Sequence, residues 1–513
     1  MTRTAAELGA GLAPARRSRP IRAGERIHVV GIAGAGASAA ALHAKAAGAL
    51  VTGCDSGGPS PYTPALEAAR IPIEWAHNPA HVGVHPPPDR LAVTKALTAI
   101  APDHPELVAA RERGISIEPW QQLVADAAHG RELIAVAGTH GKSTTAAWLT
   151  WILAEAGLDP AAFVGALLPT ALTGGPAATA RIGAGRPFVV EADEYAGNFD
   201  AYFPDVALVT AIEWDHPDVF ADREATVTAF ANWLRQVPDA KVIANLEDPG
   251  VLDLLVGLQE QASRSGPIVG TSVRASQTGP SRETERPPLW IDSRLTGTVV
   301  ERSTDGTVLE VAGLAATTRR VRLQLVGDQN AANALVALAA AIEEGAGREI
   351  DRLLWALSSF PGISRRLERK GEARGVVVYD DYGHHPTAIR ATLAALRQRE
   401  PGRRVWAVYE PLTFHRTAAM LDEFAEALAE ADAVAVAKVW ASRDPDTSIT
   451  SAEALAAAVR ARRPGIPIAA PGSVEETAGW LAANVRDGDA VLVMGGGRSY
   501  RIAELLLEAL ETS

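Results

Sequence analysis

Leu133-Ile134-Ala135-Val136-Ala137 runs directly into Gly138-Thr139-His140-Gly141-Lys142-Ser143-Thr144, and an apolar stretch bearing Trp148, Leu149, Trp151, Ile152 and Leu153 follows. A β-rich burst, a glycine turn and a helix-like run in that order read as strand, phosphate loop and helix. Backbone N–H groups of such a turn, backed by the positive end of the helix, cage phosphate oxygens, while Lys142 adds a mobile cation and Ser143 a hydroxyl for Mg²⁺. The strict P-loop pattern has Gly five residues before the Gly-Lys pair, and here that position is Val136. The reading of a nucleoside triphosphate site rests on the placement between strand and helix.

The same rhythm occurs on either side. Ile27-His28-Val29-Val30 enters Gly31-Ile32-Ala33-Gly34-Ala35-Gly36, with a second strand at Ala49 to Cys54 and Asp55 at its end. Val376-Val377-Val378-Tyr379 opens a third series, continued by strands at Val405 to Tyr409, Ala433 to Val436 and Ala490 to Met494. Strands alternating with helices predict an α/β chain with parallel sheets, and 513 residues at ~150 per domain predict about three domains. We expect a flexible tail over 1–23, a Rossmann-like domain over 24–128, a central P-loop ATPase-like domain with a parallel sheet over 129–360 and a Rossmann-like C-terminal domain over 361–513. Gln259 to Pro288, rich in Ser, Arg, Glu, Gly and Pro, reads as an exposed loop inside the central domain. Arg3, Arg16, Arg17, Arg19, Arg22 and Arg26 punctuate a start without an apolar core, so a frayed tail is expected and neither a secretory signal nor an anchor.

Composition narrows the functional classes. Lys and Arg total 49 against 61 Asp and Glu, a net charge of −12, so no global positive field holds nucleic acid or an anionic membrane. Any phosphate must be held locally. The single cysteine, Cys54, cannot form an internal disulfide or a Cys-rich metal site and fits a reducing cytoplasm. The longest apolar candidate, Val29 to Leu42, falls short of the ~18 residues that a spanning helix requires. Trp75, Trp120, Trp233, Trp355, Trp406 and Trp440 lack interleaved basic residues and read as packing, as do His28 and His43.

Two acidic clusters follow β-rich runs: Glu191-Ala192-Asp193-Glu194-Tyr195 after Val189-Val190, and Glu213-Trp214-Asp215-His216-Pro217-Asp218 after Leu208-Val209-Thr210. Carboxylates and a His at strand ends beside a triphosphate are what a hard divalent cation needs, Glu191 and His216 leading. The first glycine turn is Gly-x-x-Gly-x-Gly, with Asp55 about twenty residues later. Taken alone it is open to NAD, to close helix–strand packing or to another nucleotide.

Together these blocks resemble the Mur ligases, the ATP-dependent amino-acid-adding enzymes of bacterial cell-wall precursor synthesis, over nearly the whole chain. The resemblance rests on Gly31 to Gly36, Gly138 to Thr144, Glu191 to Glu194, Asp215-His216, the Asn330/Asn333 pair, Arg365-Arg366 and Asp380-Asp381-Tyr382-Gly383-His384-His385. It implies an ATP phosphate loop at Gly138, Thr139, His140, Gly141, Lys142, Ser143 and Thr144, with Lys142 on the transferred phosphate. Mg²⁺ would lie on Ser143 and Glu191, and a second metal on His216. Asn330 and Asn333 would meet adenine, although Gln329 stands where the family usually has His. Arg366 would reach the γ-phosphate across the domain gap and Asp381 the ribose, leaving Tyr382 and His384 near the incoming substrates. His216 or His384 would accept the ammonium proton. The UDP-sugar, UDP-N-acetylmuramate, would lay its diphosphate over Gly31, Gly34, Gly36 and Ser38, helped by Asp55, Thr63, His77 and the Thr94-Lys95-Ala96 turn.

No Lys lies between His216 and Ala240, which within the family favours the branches adding L-alanine or recycling a tripeptide over those with a carbamoylated Lys. Glu410 and Leu412 depart from both branches, and Arg416 remains for a substrate carboxylate. The L-alanine-adding branch is the expected one, with tripeptide attachment as the alternative. From other classes, a NAD-dependent dehydrogenase would use Gly31 to Gly36 and Asp55, and a catalytically silent UDP-sugar-binding protein would keep the fold. The oligomeric state, monomer or homodimer, is left open by the sequence.

Overall fold

The computed structural model describes residues 3–260, 265–275, 291–314, 317–346, 349–441, 444 and 446–512. Three sheets organise them. In the first, the strands run Ile73–Glu74, Leu50–Cys54, Arg26–Val30, Arg90–Val93 and Ser116–Pro119 from edge to edge, all parallel. Val29 and Val30 are fully buried, as both faces of a parallel sheet require. The expected strand–turn–helix at Gly31 is present, its helix running Ala35–Ala46.

The central sheet has ten strands, and its middle follows the expected parallel order, with Glu132–Ala137 between Pro187–Ala192 and Val206–Val209. Both ends are antiparallel: Ala178–Arg181 pairs with Ala161–Leu168 on one side, and Asp292–Ser303, Gly306–Ala312 and Arg319–Leu323 meander on the other. The sheet is therefore mixed, because short hairpin connections extend an edge without the crossover helix that parallel pairing demands. Register explains the site. Ala137 lies opposite both Ala192 and Val209, so three strands end at one level, and the loops beginning at Gly138, Asp193 and Thr210 leave from the same edge. The third sheet has one antiparallel edge strand, Glu368–Ala373, beside parallel strands including Val376–Asp381, Arg404–Glu410 and Asp489–Gly495.

Two sequence expectations are corrected here. Part of the polar stretch is strand: Ile268–Ala275 pairs in parallel with Lys241–Asn245, and burial of Val269 and Thr271 supplies what composition averaging hid. Within that stretch, 261–264 and 276–288 lie outside the described residues. The N-terminal segment is docked rather than frayed. Leu8 is buried beside Tyr195, and its carbonyl accepts from Thr98 Oγ1 at 2.6 Å. Arg16 binds Asp126 at 2.8 Å and Glu118 at 2.9 Å, while Arg19 binds Glu25 at 2.8 Å. Those three carboxylates are buried around Arg90, itself 2% exposed, so the arginines neutralise a charged interior rather than face water.

The helix Ala35–Ala46 also joins the first sheet to the second. Its Ala, Gly and Ser residues let it lie close: a Cβ on Gly36 would meet Trp120 at 2.2 Å, and His43 Nε2 binds Ala162 O at 2.9 Å. Within the core on one face of the second sheet, Phe360 stacks on Trp148 with ring centres 4.9 Å apart. Of the tryptophans read as packing, Trp233 and Trp406 are buried, whereas Trp75, Trp355 and Trp440 are exposed.

Candidate active site

At the end of the buried strand, Gly138 takes φ 138° and Gly141 φ 81°, and the helix Lys142–Glu155 begins at once. A Cβ on Gly138 would sit 2.2 Å from Thr210 Oγ1, and one on Gly141 2.4 Å from Asn333 Oδ1, so only glycine permits the turn and its close neighbours. Val136 is fully buried inside the strand, which is why glycine is not required there. Thr139 secures the loop, its N–H donating to Ala211 O at 2.8 Å and its hydroxyl accepting from Glu213 N at 3.0 Å.

Lys142 Nζ lies 2.8 Å from Glu194 Oε2 and 3.5 Å from Asp193 Oδ1. Burial opposes its charge, yet attraction to Glu194 and Asp193 prevails and keeps its pKa above the ordinary range. Burial pushes Glu194 up to about 7 against the pull of Lys142. Glu194 Oε1 is buried and makes no hydrogen bond, and Asp193, Glu194 and His216 offer donor atoms within 4.8 Å of one another. Alongside, Ser143 Oγ donates to Glu191 Oε1 at 3.0 Å, and Gly165 N donates to Glu191 Oε2 at 2.6 Å. Hard oxygen donors with an unsatisfied carboxylate oxygen at a helix N-terminus fit a divalent cation beside a polyphosphate.

His216 has φ 56°, a left-handed conformation uncommon for a residue with Cβ, held by its own N–H bonding Asp215 Oδ1 at 2.6 Å. Its Nδ1 is 3.1 Å from Arg416 Nη2. Arg has no lone pair to offer, so Nδ1 accepts and the ring proton of the neutral imidazole is assigned to Nε2, 4.0 Å from Glu194 Oε1. In this arrangement His216 faces the acidic cluster as a donor; ligating a metal through Nε2 requires Arg416 to release Nδ1. Arg416 departs further from expectation. It is 2% exposed and paired with Asp215 at 2.8 Å, so it ties two domains together instead of waiting for a substrate carboxylate.

The third domain enters through Arg366, whose Nη2 donates to Ser143 Oγ at 2.9 Å, 223 residues away in sequence. The turn that delivers it has Arg365 at φ 57° and Leu367 at φ 47°. Asp381 anchors this turn, accepting from Leu367 N at 2.8 Å and Gly383 N at 2.6 Å; both oxygens are thus engaged by backbone, and its first task is to position Arg366. His384 Nδ1 donates to Tyr382 O at 2.9 Å, directing the Nε2 lone pair away. Burial, reinforced by Arg416, holds His384 well below the ordinary imidazole range, so it stays neutral and is a weak proton acceptor.

Lys142, Ser143, Glu191, Asp193, His216 and Arg366 line one cleft of about 580 Å³, which Asn330, Asn333, Tyr382, His384 and Leu412 complete. From the first domain Gly36 and Thr94, Lys95 and Ala96 reach it. The other expected UDP-sugar groups are placed differently. Ser38 is buried, donating to Ala35 O at 2.9 Å and facing Thr179 at 3.1 Å. Asp55 accepts from Ala33 N and Gly57 N, stapling the Gly31–Gly34 turn, and Gly31 and Gly34 lie outside the cleft lining. His77 turns to Cys54 Sγ at 3.3 Å. Glu213 and His385, which the sequence motifs contain without indicating a role, bracket His140: Glu213 Oε2 is 2.9 Å from His140 Nε2 and 3.5 Å from His385 Nδ1. Burial would raise Glu213, but His140 overrides it and holds the carboxylate down to about 2.

Glu410, one of the departures noted above, faces a second cavity of about 380 Å³ with Lys438, Trp440 and Arg498. Its Oε2 is buried without a hydrogen bond, and burial pushes the carboxyl up to about 7 from 4.5. A raised folded-state pKa stabilises the fold below pH 4.5, and that contribution drains away as pH rises to about 7. Glu410→Gln is therefore expected to be more stable than the parent by roughly 1–3 kcal/mol at neutral pH, with the difference growing through this window. Urea unfolding at pH 5 and pH 8 checks it; an equal difference at both pH values contradicts the assignment.

Three α/β domains, one on a parallel and two on mixed sheets, closing on a glycine loop define a nucleotide-dependent enzyme assembled from separate domains. The chain belongs to the Mur ligase family: its catalytic-domain model matches residues 26–132, the middle-domain model 136–341 and the glutamate ligase domain model 365–497. The chain is similar to the UDP-N-acetylmuramate–L-alanine ligase of Roseiflexus castenholzii, 36% identical over 94% of this chain and 97% of that one. It is 38% identical to the same-named ligase of Kineococcus radiotolerans over 94% and 96%. Among solved structures, UDP-N-acetylmuramate–alanine ligase MurC from Thermotoga maritima superposes with TM-score 0.73 at 23% identity, covering 95% of this chain and 99% of that chain. The murein peptide ligase from Psychrobacter arcticus gives 0.70 at 27%, covering 96% and 99%. No helix among the described residues is long and apolar enough to cross a membrane.

Proposed function

We infer that this chain is an ATP-dependent ligase that joins L-alanine to the carboxylate of UDP-N-acetylmuramate through an acyl phosphate. The observation that carries the reading is the convergence on Ser143 of Arg366 from the third domain and Glu191 from the central sheet, beside buried Lys142. Full-length similarity to alanine-adding ligases supports the substrate pair. Membership of this family sets aside the dehydrogenase reading of the first glycine turn.

A carboxylate does not acylate an amine at neutral pH, because oxide is too poor a leaving group. Transfer of the ATP γ-phosphoryl group to the sugar-lactyl carboxylate solves this, since phosphate then departs when the amine attacks. The helix N-terminus behind Gly141 and the Lys142 and Arg366 cations stabilise the negative charge spread over the transferred oxygens. A Mg²⁺ ion on Ser143 and Glu191, with Asp193 and Glu194 adjacent, would supply further charge neutralisation there. Asn330 and Asn333, beside the loop, suit the nucleotide base, and Tyr382 and His384 suit the acceptor end. Because Arg366 arrives from another domain, the charge-stabilising set is complete only when the domains are closed, which also keeps water from the acyl phosphate.

The test is phosphate release from ATP and Mg²⁺ with UDP-N-acetylmuramate, comparing L-alanine, glycine, L-serine and the L-Ala-D-Glu-diaminopimelate tripeptide. Release with L-alanine alone is expected. Release only with the tripeptide would transfer the chain to the recycling branch and assign Glu410 and Leu412 to that larger acceptor. No release with any acceptor would defeat the ligase reading and favour a silent sugar-nucleotide binder.

A further inference from the structure

On the first sheet, beneath the Gly31 turn, four elements bring His28, Cys54, His81 and Glu106 together. His28 comes from the strand Arg26–Val30, Cys54 from the end of Leu50–Cys54, His81 from the short helix Ala80–Gly83 and Glu106 from the first turn of Pro105–Glu112. One ligand atom from each lies within 4.8 Å of all the others. Glu106 forms the hub: its Oε2 is 3.2 Å from Cys54 Sγ and 3.8 Å from His28 Nε2, and its Oε1 is 3.0 Å from His81 Nδ1. Bonds of ~2.0–2.3 Å around a tetrahedral ion separate neighbouring ligands by roughly 3.3–3.7 Å, so these edges already approximate a coordination shell.

Two further observations point to a ligand. His28 is 3% exposed, and its Nε2 is buried without a hydrogen bond while facing the cluster. Its other nitrogen, Nδ1, is 2.9 Å from the Thr52 hydroxyl, the kind of outer partner that fixes a ligating imidazole with its free lone pair inward. Charge gives the second observation. Glu106 is fully buried, yet the cation-capable groups within ion-pair distance among the described residues are the imidazoles of His28, His77 and His81. Glu106 Oε1 also accepts from Asn78 N at 2.6 Å, but among the described residues no Lys or Arg pairs with this buried carboxylate, and a single divalent cation with one thiolate, one carboxylate and two neutral imidazoles sums to zero.

We propose that His28, Cys54, His81 and Glu106 bind one zinc-class divalent cation that clasps the loop and helices at 77–112 onto the strands carrying the Gly31 turn. The mixed sulfur, nitrogen and carboxylate donors select Zn²⁺ over Mg²⁺, which prefers oxygen alone. Binding displaces the thiol proton that Cys54 now shares with Glu106, so affinity rises with pH. The site is independent of the ligase assignment, and its test does not use ligase activity.

The probe is Co²⁺ titrated into the metal-free full-length protein. Cys54 is the sole cysteine, so a thiolate-to-cobalt charge-transfer band can come from nowhere else in the chain. Expected are saturation of that band at one equivalent, its displacement by Zn²⁺, and its absence in Cys54→Ser. His81→Ala, at the partly exposed rim, should weaken Zn²⁺ by roughly 10–100-fold in dye competition while retaining the sulfur band at high cobalt. It also keeps the test decisive if Cys54→Ser folds poorly by circular dichroism. Cobalt binding without a sulfur band would place the ion elsewhere, for instance at Asp193, Glu194 and His216, and overturn the proposal. Zn²⁺ affinity unchanged by His81→Ala would do the same.

Discussion

Lys142→Ala is expected to reduce acceptor-dependent phosphate release by about 10³-fold or more while leaving the circular dichroism spectrum unchanged. The residue sits at the first position of its helix, where alanine keeps the helical backbone, so the substitution removes charge without disturbing the turn. What it removes is the cation facing Glu194 at 2.8 Å and Asp193 at 3.5 Å. A polyphosphate would then meet Asp193, Glu194 and Glu191 without that compensation, so both binding and transition-state stabilisation should suffer. There is a second signature. Burial already raises Glu194 to about 7 with Lys142 pulling it down, so losing Lys142 moves the carboxyl higher. A group whose folded pKa is raised gives up stability as pH climbs through it; the parent stops losing this contribution at about pH 7 and the variant does not, so the variant should lose stability relative to the parent as pH rises above about 7. Lys142→Arg restores the charge on a larger planar group and should recover stability more than turnover. Turnover of Lys142→Ala within tenfold of the parent would remove this residue from phosphoryl transfer.

The phosphate loop was legible because every part of it is local: a buried strand, two glycines that cannot be replaced and a helix N-terminus occupy consecutive residues. The acidic edge was legible for a related reason, since strands in register end together and deliver Glu191 and Asp215-His216 to one level. Groups defined by distant partners were not. Arg416 reads as a free cation in one dimension, and only the fold brings Asp215 to it from 201 residues away. Ser38 follows a glycine turn in the manner of a phosphate ligand, yet the helix that bears it packs onto another domain and its hydroxyl meets Thr179. The N-terminal arginines read as solvated until Glu118, Asp126 and Glu25 are seen to be buried around Arg90. In each case the missing information is a buried partner brought from far along the chain, and burial is a property of tertiary packing. Glu194 and Glu213 belong to the same category: their sequence clusters were noticed, but which carboxylate lacks a hydrogen bond and which is held by His140 depends on the way the strands twist together.

Asp215→Ala is expected to destabilise the protein by roughly 3–5 kcal/mol, because Arg416 would remain buried without its counter-ion. Arg416 is 2% exposed, its Nε donates to Asp215 Oδ1 at 2.8 Å, and its Nη1 is already buried without a partner. Burial opposes ionisation of Asp215, but Arg416 and then His216 hold it well below the ordinary carboxylate range. A depressed folded pKa contributes stability above the unfolded value that is lost only as pH falls through the folded one, so the parent should keep this contribution across the neutral range. Arg416→Met removes the stronger of those attractions, raises Asp215 and should make stability fall earlier on acidification. The double variant Asp215→Asn/Arg416→Met leaves no buried charge at this point and should recover most of the stability lost by Asp215→Ala, since replacing both members of a buried pair costs far less than orphaning one. Its activity should not recover. The pair also fixes the left-handed backbone of His216 through Asp215 and its ring through Arg416, and it joins the central sheet to the third domain from which Arg366 is delivered. Denaturant unfolding and phosphate release on the same three variants separate the two roles: stability and turnover recovering together would reduce the pair to a structural bolt, whereas stability recovering alone assigns it the orientation of the site.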